Sequence, residues 1–94
     1  MPLAGNWDGV GGDTIGVYNP SAATFYLSNY NTSPQTNYSA VFGSGGAWEP
    51  VVGDWDTNGT TTIGVFNPST ATFYLRNSNT TGVSDTSFTF GNPS

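Results

Sequence analysis

"GNWDGVGGDTIGVYNPSAATFYLSNYNT", residues 5 to 32, aligns without a gap on "GDWDTNGTTTIGVFNPSTATFYLRNSNT", residues 53 to 80. Over the whole chain an offset of 48 makes 23 of 46 aligned pairs identical. A period of this size lies in the range of β-propeller blades, above the ~34 residues of the tetratricopeptide helical repeat. The repeat is built from β-branched and aromatic residues and punctuated by NP, NG and GG, which favours short strands and tight turns over helix.

Each repeat reads as four strands. "PLAGN" or "PVVGD" is small and apolar. "DTIGVYN" or "TTIGVFN" follows, with Ile15 and Val17 (Ile63 and Val65) sharing one face by alternation. The turn "NPSAA" or "NPSTA" has its backbone preset by proline. "TFYLSN" or "TFYLRN" then places Phe25 and Leu27 (Phe73 and Leu75) on one face and Tyr26 (Tyr74) on the other. "YSAVFG" or "TSFTFG" closes the repeat. Four antiparallel strands per repeat is the anatomy of a propeller blade. The chain therefore divides into a first blade with its linker, residues 1–48, and a second blade, residues 49–94.

Composition narrows the chemistry. The 94 residues include no Cys and no His, and Arg76 is the single basic residue against six acids, for a net charge of -5. Thiol nucleophiles, histidine triads, zinc sites and disulfides are excluded. The charge argues against nucleic acid, whose binding rests on phosphate neutralisation, and against an anionic membrane surface. No apolar run approaches the ~20 residues that span a bilayer, and the start has no signal-peptide pattern. A glycosidase needs two carboxylates across a cleft, and Glu49 and Asp85 form no such pair. Four N-x-Ser/Thr sequons, at Asn31, Asn37, Asn58 and Asn79, are accounted for by the abundance of Asn, Ser and Thr.

Residues 42 to 56, "FGSGGAWEPVVGDWD", resemble the FG-GAP (VCBS) repeat. In that repeat Phe-Gly closes one blade, Pro opens the next, and an Asp-rich hairpin joins the first two strands. The resemblance implies a propeller and calcium-loop positions at Asp54, Asp56, Asn58 and the backbone oxygen of Thr60. The first repeat offers a poorer set, Asp8 and Asp13, because Asn6 and Val10 stand where ligands are expected. Calcium takes six to eight oxygens, so either loop would hold it weakly, and the alternative is that these residues only cap turns. No cofactor is required.

Trp7 and Trp55 recur and are assigned to blade packing, together with Ile15, Val17, Phe25, Leu27, Ile63, Val65, Phe73 and Leu75. Ile63, Val65, Phe73 and Leu75 are expected to pack against the next blade. Trp48, Tyr30 and Tyr38 lack an aromatic counterpart and are the candidates for stacking on a sugar; Trp48 is equally suited to wedging between blades.

A closed ring has 4–8 blades, and two cannot close one. The expected partner is the chain itself, as a cyclic homotrimer of six blades or homotetramer of eight. The expected function is a non-catalytic self-assembling propeller scaffold. The alternative is a multivalent carbohydrate-binding lectin gaining avidity from repeated weak sites. Boundaries that coincide with repeat ends suit a piece of a longer secreted or cell-surface array, an engineered unit, or a small gene.

Overall fold

A computed structural model describes residues 1–93. The chain is all-β, with no helix among the described residues. Strands β1 (Pro2–Gly5), β2 (Thr14–Asn19), β3 (Thr24–Leu27) and β4 (Tyr38–Val41) form one antiparallel sheet in sequential order. Strands β5 (Glu49–Gly53), β6 (Thr62–Asn67), β7 (Thr72–Leu75) and β8 (Thr86–Thr89) form the second. The register repeats as well: Val17 pairs with Tyr26 and Tyr18 with Phe25, as Val65 pairs with Tyr74 and Phe66 with Phe73.

The turns repeat in atomic detail. Asn19 Oδ1 accepts the Ser21 N–H at 3.0 Å, and Asn67 Oδ1 accepts that of Ser69 at 3.1 Å. Each turn ends on an alanine in the left-handed region, Ala23 at φ 50° and Ala71 at φ 53°. This conformation is uncommon for a residue with a Cβ and is held here by the strand pairing that follows. The Ala carbonyls then accept the N–H groups of Phe42 and Phe90, both at 2.9 Å.

Directly paired residues on antiparallel strands share a face. In the first sheet one face therefore carries Tyr18, Phe25, Leu27 and Ala40, and the other Ile15, Val17, Tyr26 and Val41. The core lies between the sheets. It joins Trp7, Tyr18, Phe25, Leu27, Ala40 and Phe42 of the first repeat to Ile63 and Val65 of the second. Two like sheets thus stack in a directional way, with one kind of face meeting the other.

That stacking corrects one expectation. Ile63 and Val65 pack on the first sheet, but Phe73 and Leu75 lie on the opposite face of the second. The cause is the register, in which Leu75 pairs with Gly64 and Phe73 with Phe66, while Val65 pairs with Tyr74. Ile63 and Val65 are 0% exposed, whereas Ile15 and Val17 are 45% and 50% exposed. Burial of such a side chain stabilises by about 1.5–3 kcal/mol, a gain that Ile15 and Val17 forgo in the single chain. Phe73 is half-buried, flanked by Phe66 at 4.6 Å and Phe88 at 5.4 Å between ring centroids.

Candidate functional site: the Asp hairpins and the seam between sheets

The β5–β6 hairpin turns through Thr57 at φ 58° and Gly59 at φ 88°. Asp54 holds it: Oδ1 accepts the Asn58 N–H at 3.0 Å and Oδ2 the Gly59 N–H at 2.8 Å. Asn58 Oδ1 accepts the Thr60 N–H at 2.9 Å, and its Nδ2 donates to Asp56 Oδ2 at 3.3 Å. In the β1–β2 hairpin Asp8 Oδ1 accepts the Val10 N–H at 3.0 Å, while Asn6 Nδ2 donates to the Gly11 carbonyl at 3.1 Å. Asp13 lies at the exposed end of that hairpin, where its carbonyl accepts from Asn31 Nδ2 at 3.1 Å.

As arranged, the hairpin oxygens are engaged in holding their own turns. The oxygens of Asp54 and Asn58 are directed at the loop's own N–H groups, and no cluster of three acidic residues occurs among the described residues. Calcium takes six to eight oxygens, and the chemistry observed is turn capping by Asx side chains.

The two tryptophans of the hairpins play parallel parts. Trp7 Nε1 donates to the Ile15 carbonyl at 3.1 Å and Trp55 Nε1 to that of Ile63 at 3.2 Å. Each ring lies across the glycine ending the first strand of its sheet, where a Cβ would come within 2.7 Å of it at Gly5 or Gly53. Trp7 is buried by the second sheet; Trp55, on the open face, is half-exposed.

The seam between the sheets is polar at the hairpin end. The Asn6 N–H donates to Thr61 Oγ1 at 3.0 Å, and the Thr61 N–H to the Asn6 carbonyl at 2.8 Å. Asn79, 8% exposed, donates from Nδ2 to the Thr61 carbonyl at 3.1 Å and the Trp7 carbonyl at 3.4 Å. The Val41 N–H, on the edge strand, donates to Thr81 Oγ1 at 2.9 Å.

Arg76 shapes the loop that carries Asn79 and Thr81. Its guanidinium donates to the Val83 carbonyl at 2.6 Å, to Thr80 Oγ1 at 2.6 Å and to Ser78 Oγ at 3.1 Å, and lies 3.9 Å from the Asp85 carboxylate. A Cβ on Gly82 would lie 2.8–2.9 Å from that guanidinium. In the first repeat Ser28 and Pro34 stand at these places. Sequence reasoning missed Asn6, Thr61, Asn79 and Thr81, since an amide or hydroxyl bridging two sheets leaves no mark among many Asn and Thr. The single cation could have pointed to its loop.

At the strand ends near the linker, the rings of Trp48 and Tyr74 stack with centroids 5.2 Å apart and planes 2° from parallel. Trp48 also packs on the core and is half-buried. Tyr38 packs against the core from β4, and Tyr30 is exposed in the loop after β3. Of two surface recesses, one is lined by Trp48 and neither by Tyr30 or Tyr38. Tyr18 lies in the core with its hydroxyl buried and unpartnered, and burial raises its pKa above the ordinary tyrosine value.

No protein-family model, curated protein or solved structure matches the chain.

Proposed function

We propose that the chain is a non-catalytic, self-assembling β-propeller scaffold. Copies join head to tail, three closing six blades or four closing eight. One observation carries the reading: the two open faces are the counterparts of the two faces already joined. Ile15, Val17 and Tyr26 on the open face of the first sheet correspond to Ile63, Val65 and Tyr74, which seat on that sheet's other face. At the far end Phe90 is 74% exposed, while its counterpart Phe42 is 5% exposed in the core.

The polar contacts support the same joint. Asn31, already donating to the Asp13 carbonyl, stands where Asn79 does, and Trp55 presents the carbonyl that Trp7 offers within the chain. Ser33 supplies the hydroxyl corresponding to Thr81, and Thr89 the N–H corresponding to Val41. Such a contact uses different patches on the two partners and closes a ring when its rotation permits. The absence of His and Cys from the sequence removes thiol nucleophiles and imidazole general bases.

The test is the mass in solution, by light scattering behind a sizing column. With a chain of 9.8 kDa, a mass of three or four chains is expected. A folded monomer that persists as the protein is concentrated would overturn the reading.

A further inference from the structure

Asn58 alone among the asparagines of the sequence precedes a glycine; the others precede Trp, Pro, Tyr, Thr or Ser. Asn58 and Gly59 are both exposed in the β5–β6 hairpin, and beyond the chain neighbours no atom lies within 4 Å of where a Gly59 Cβ would stand. The Gly59 nitrogen thus lacks the steric cover that a side chain gives its own amide. It is joined to Asn58 Cγ through the Asn58 carbonyl carbon, Cα and Cβ, so its attack there is intramolecular and closes a succinimide ring. The hydrogen bonds of the loop suit that attack. Asp54 Oδ2 accepts the Gly59 N–H at 2.8 Å, within the reach of a general base on the proton that must leave. Asp54 Oδ1 accepts the Asn58 N–H at 3.0 Å and so fixes the carboxylate against the loop. The Thr60 N–H donates to Asn58 Oδ1 at 2.9 Å, where negative charge develops as Cγ becomes tetrahedral. Asn58 Nδ2, the leaving nitrogen, is oriented by donation to Asp56 Oδ2 at 3.3 Å.

We propose that this hairpin is a self-modifying site, in which Asp54 promotes conversion of Asn58 to a succinimide and then to aspartate or isoaspartate. Gly59 N bonds to Asn58 Cγ while Asp54 takes its proton. The Cγ–Nδ2 bond then breaks, and Nδ2 leaves as ammonia carrying that proton. Water adds to one of the two ring carbonyls and opens the ring, which gives aspartate or its β-linked isomer at position 58. One negative charge is added, so the net charge of -5 becomes -6. The amide that donated to Asp56 is replaced by a carboxylate beside those of Asp54 and Asp56, and the β-linked product puts an extra carbon into the backbone of the turn. Both changes loosen the hairpin. The first hairpin lacks this arrangement. There Asp8 precedes Gly9, whose N–H is directed at the Asn6 carbonyl at 3.4 Å, and the Asp8 carboxylate accepts from Val10. No carboxylate meets the Gly9 proton, and an ionised acid is a poorer electrophile than an amide.

The reaction needs only residues of one loop in one chain, so its test is separate from that of assembly. The full chain is aged at physiological temperature in neutral buffer, folded in one sample and unfolded by urea in another. Peptide mapping by mass spectrometry follows the loss of Asn58 and the isoaspartate formed from it. The folded chain is expected to react roughly tenfold faster than the unfolded one, a modest gain beside the ~10²–10⁴ of an enzyme's general base. Asp54→Asn keeps an oxygen in the loop but removes the base, and should bring the folded rate down to the unfolded one. A purely structural role for Asp54 predicts the opposite sign, because a loosened loop closes the ring more readily. A folded chain that reacts no faster than the unfolded chain would overturn the proposal. So would a folded Asp54→Asn variant that keeps or exceeds the parent's rate. Should that variant not fold, the comparison of folded and unfolded parent decides alone.

Discussion

The indole of Trp48 lies 2° from parallel to the ring of Tyr74, with centroids 5.2 Å apart, so the linker is fastened to the sheet it leads into. Aromatic pairs in offset stacks add about 0.5–1.5 kcal/mol beyond the area they bury. Trp48→Ala should therefore cost about 2–4 kcal/mol, somewhat below the range for a fully buried aromatic. Urea unfolding of the variant measures it. Tyr26→Ala, at the unstacked counterpart, should cost less than half as much.

Tyr18 occupies the place of Phe66 and meets Phe25 as Phe66 meets Phe73, at 4.5 Å and 46° against 4.6 Å and 45°. Its hydroxyl is buried without a partner. Tyr18→Phe removes an unsatisfied polar atom from the core and should stabilise the chain by about 1–2 kcal/mol. The effect of pH has a definite sign. Burial disfavours the phenolate and raises the folded-state pKa, so the unfolded chain loses this proton first. Stability from Tyr18 is complete below the unfolded value near ~10 and falls as pH rises from there through the raised folded value. Melts at rising pH should show the parent losing stability faster than Tyr18→Phe.

Both carboxylate oxygens of Asp54 accept backbone N–H groups. Asp54→Ala should cost about 1–2 kcal/mol through loss of two charge-assisted bonds at an exposed turn. Millimolar calcium, or its removal by chelator, should leave the melting temperature of the parent unchanged, because a bound ion would raise it. Differential scanning calorimetry distinguishes the two outcomes.

Phe42 and Phe90 are the same residue of the repeat in opposite situations. Phe42→Ala should destabilise the fold by about 3–5 kcal/mol. Phe90→Ala should leave secondary structure intact by circular dichroism yet lower the mass seen by light scattering. Val17→Glu, on the complementary open face, should do the same. Loss of fold in either of these last two variants would show that the open faces support the single chain.

Removal of the Arg76 guanidinium should loosen the seam from a distance. Arg76→Ala frees the loop that presents Asn79 and Thr81, and about 1–3 kcal/mol is expected from its hydrogen bonds, discounted for partial exposure. Faster amide exchange at Val41, whose N–H is held by Thr81, reports the effect at a residue Arg76 does not touch.

Much of the fold was legible because the 48-residue repeat is nearly gapless and strand alternation is a local property. Eight strands, their order and the Asn-Pro turns follow from residues adjacent in sequence. What packs on what did not follow. Ile63 and Phe73 are both apolar and both in strands, and only the register of β6 on β7 separates their faces. The paired tryptophans were legible as packing residues, but their different exposure depends on a neighbouring sheet that only one has. The hairpin acids were visible as oxygen donors; that their oxygens turn back onto the loop is a matter of side-chain torsion.

The linker between β4 and β5 also governs how the molecule responds to dilution. By tethering the second sheet to the first it holds their encounter at an effective concentration that short flexible connections set in the millimolar range. The joint inside the chain is therefore insensitive to how much protein is present. A joint of the same design made with another copy has no tether and follows mass action. Two joints of like chemistry thus differ in molecularity. In the proposed assembly, Ile15, Val17 and Phe90, which the single chain leaves in water, would become interior only when the joint between copies closes.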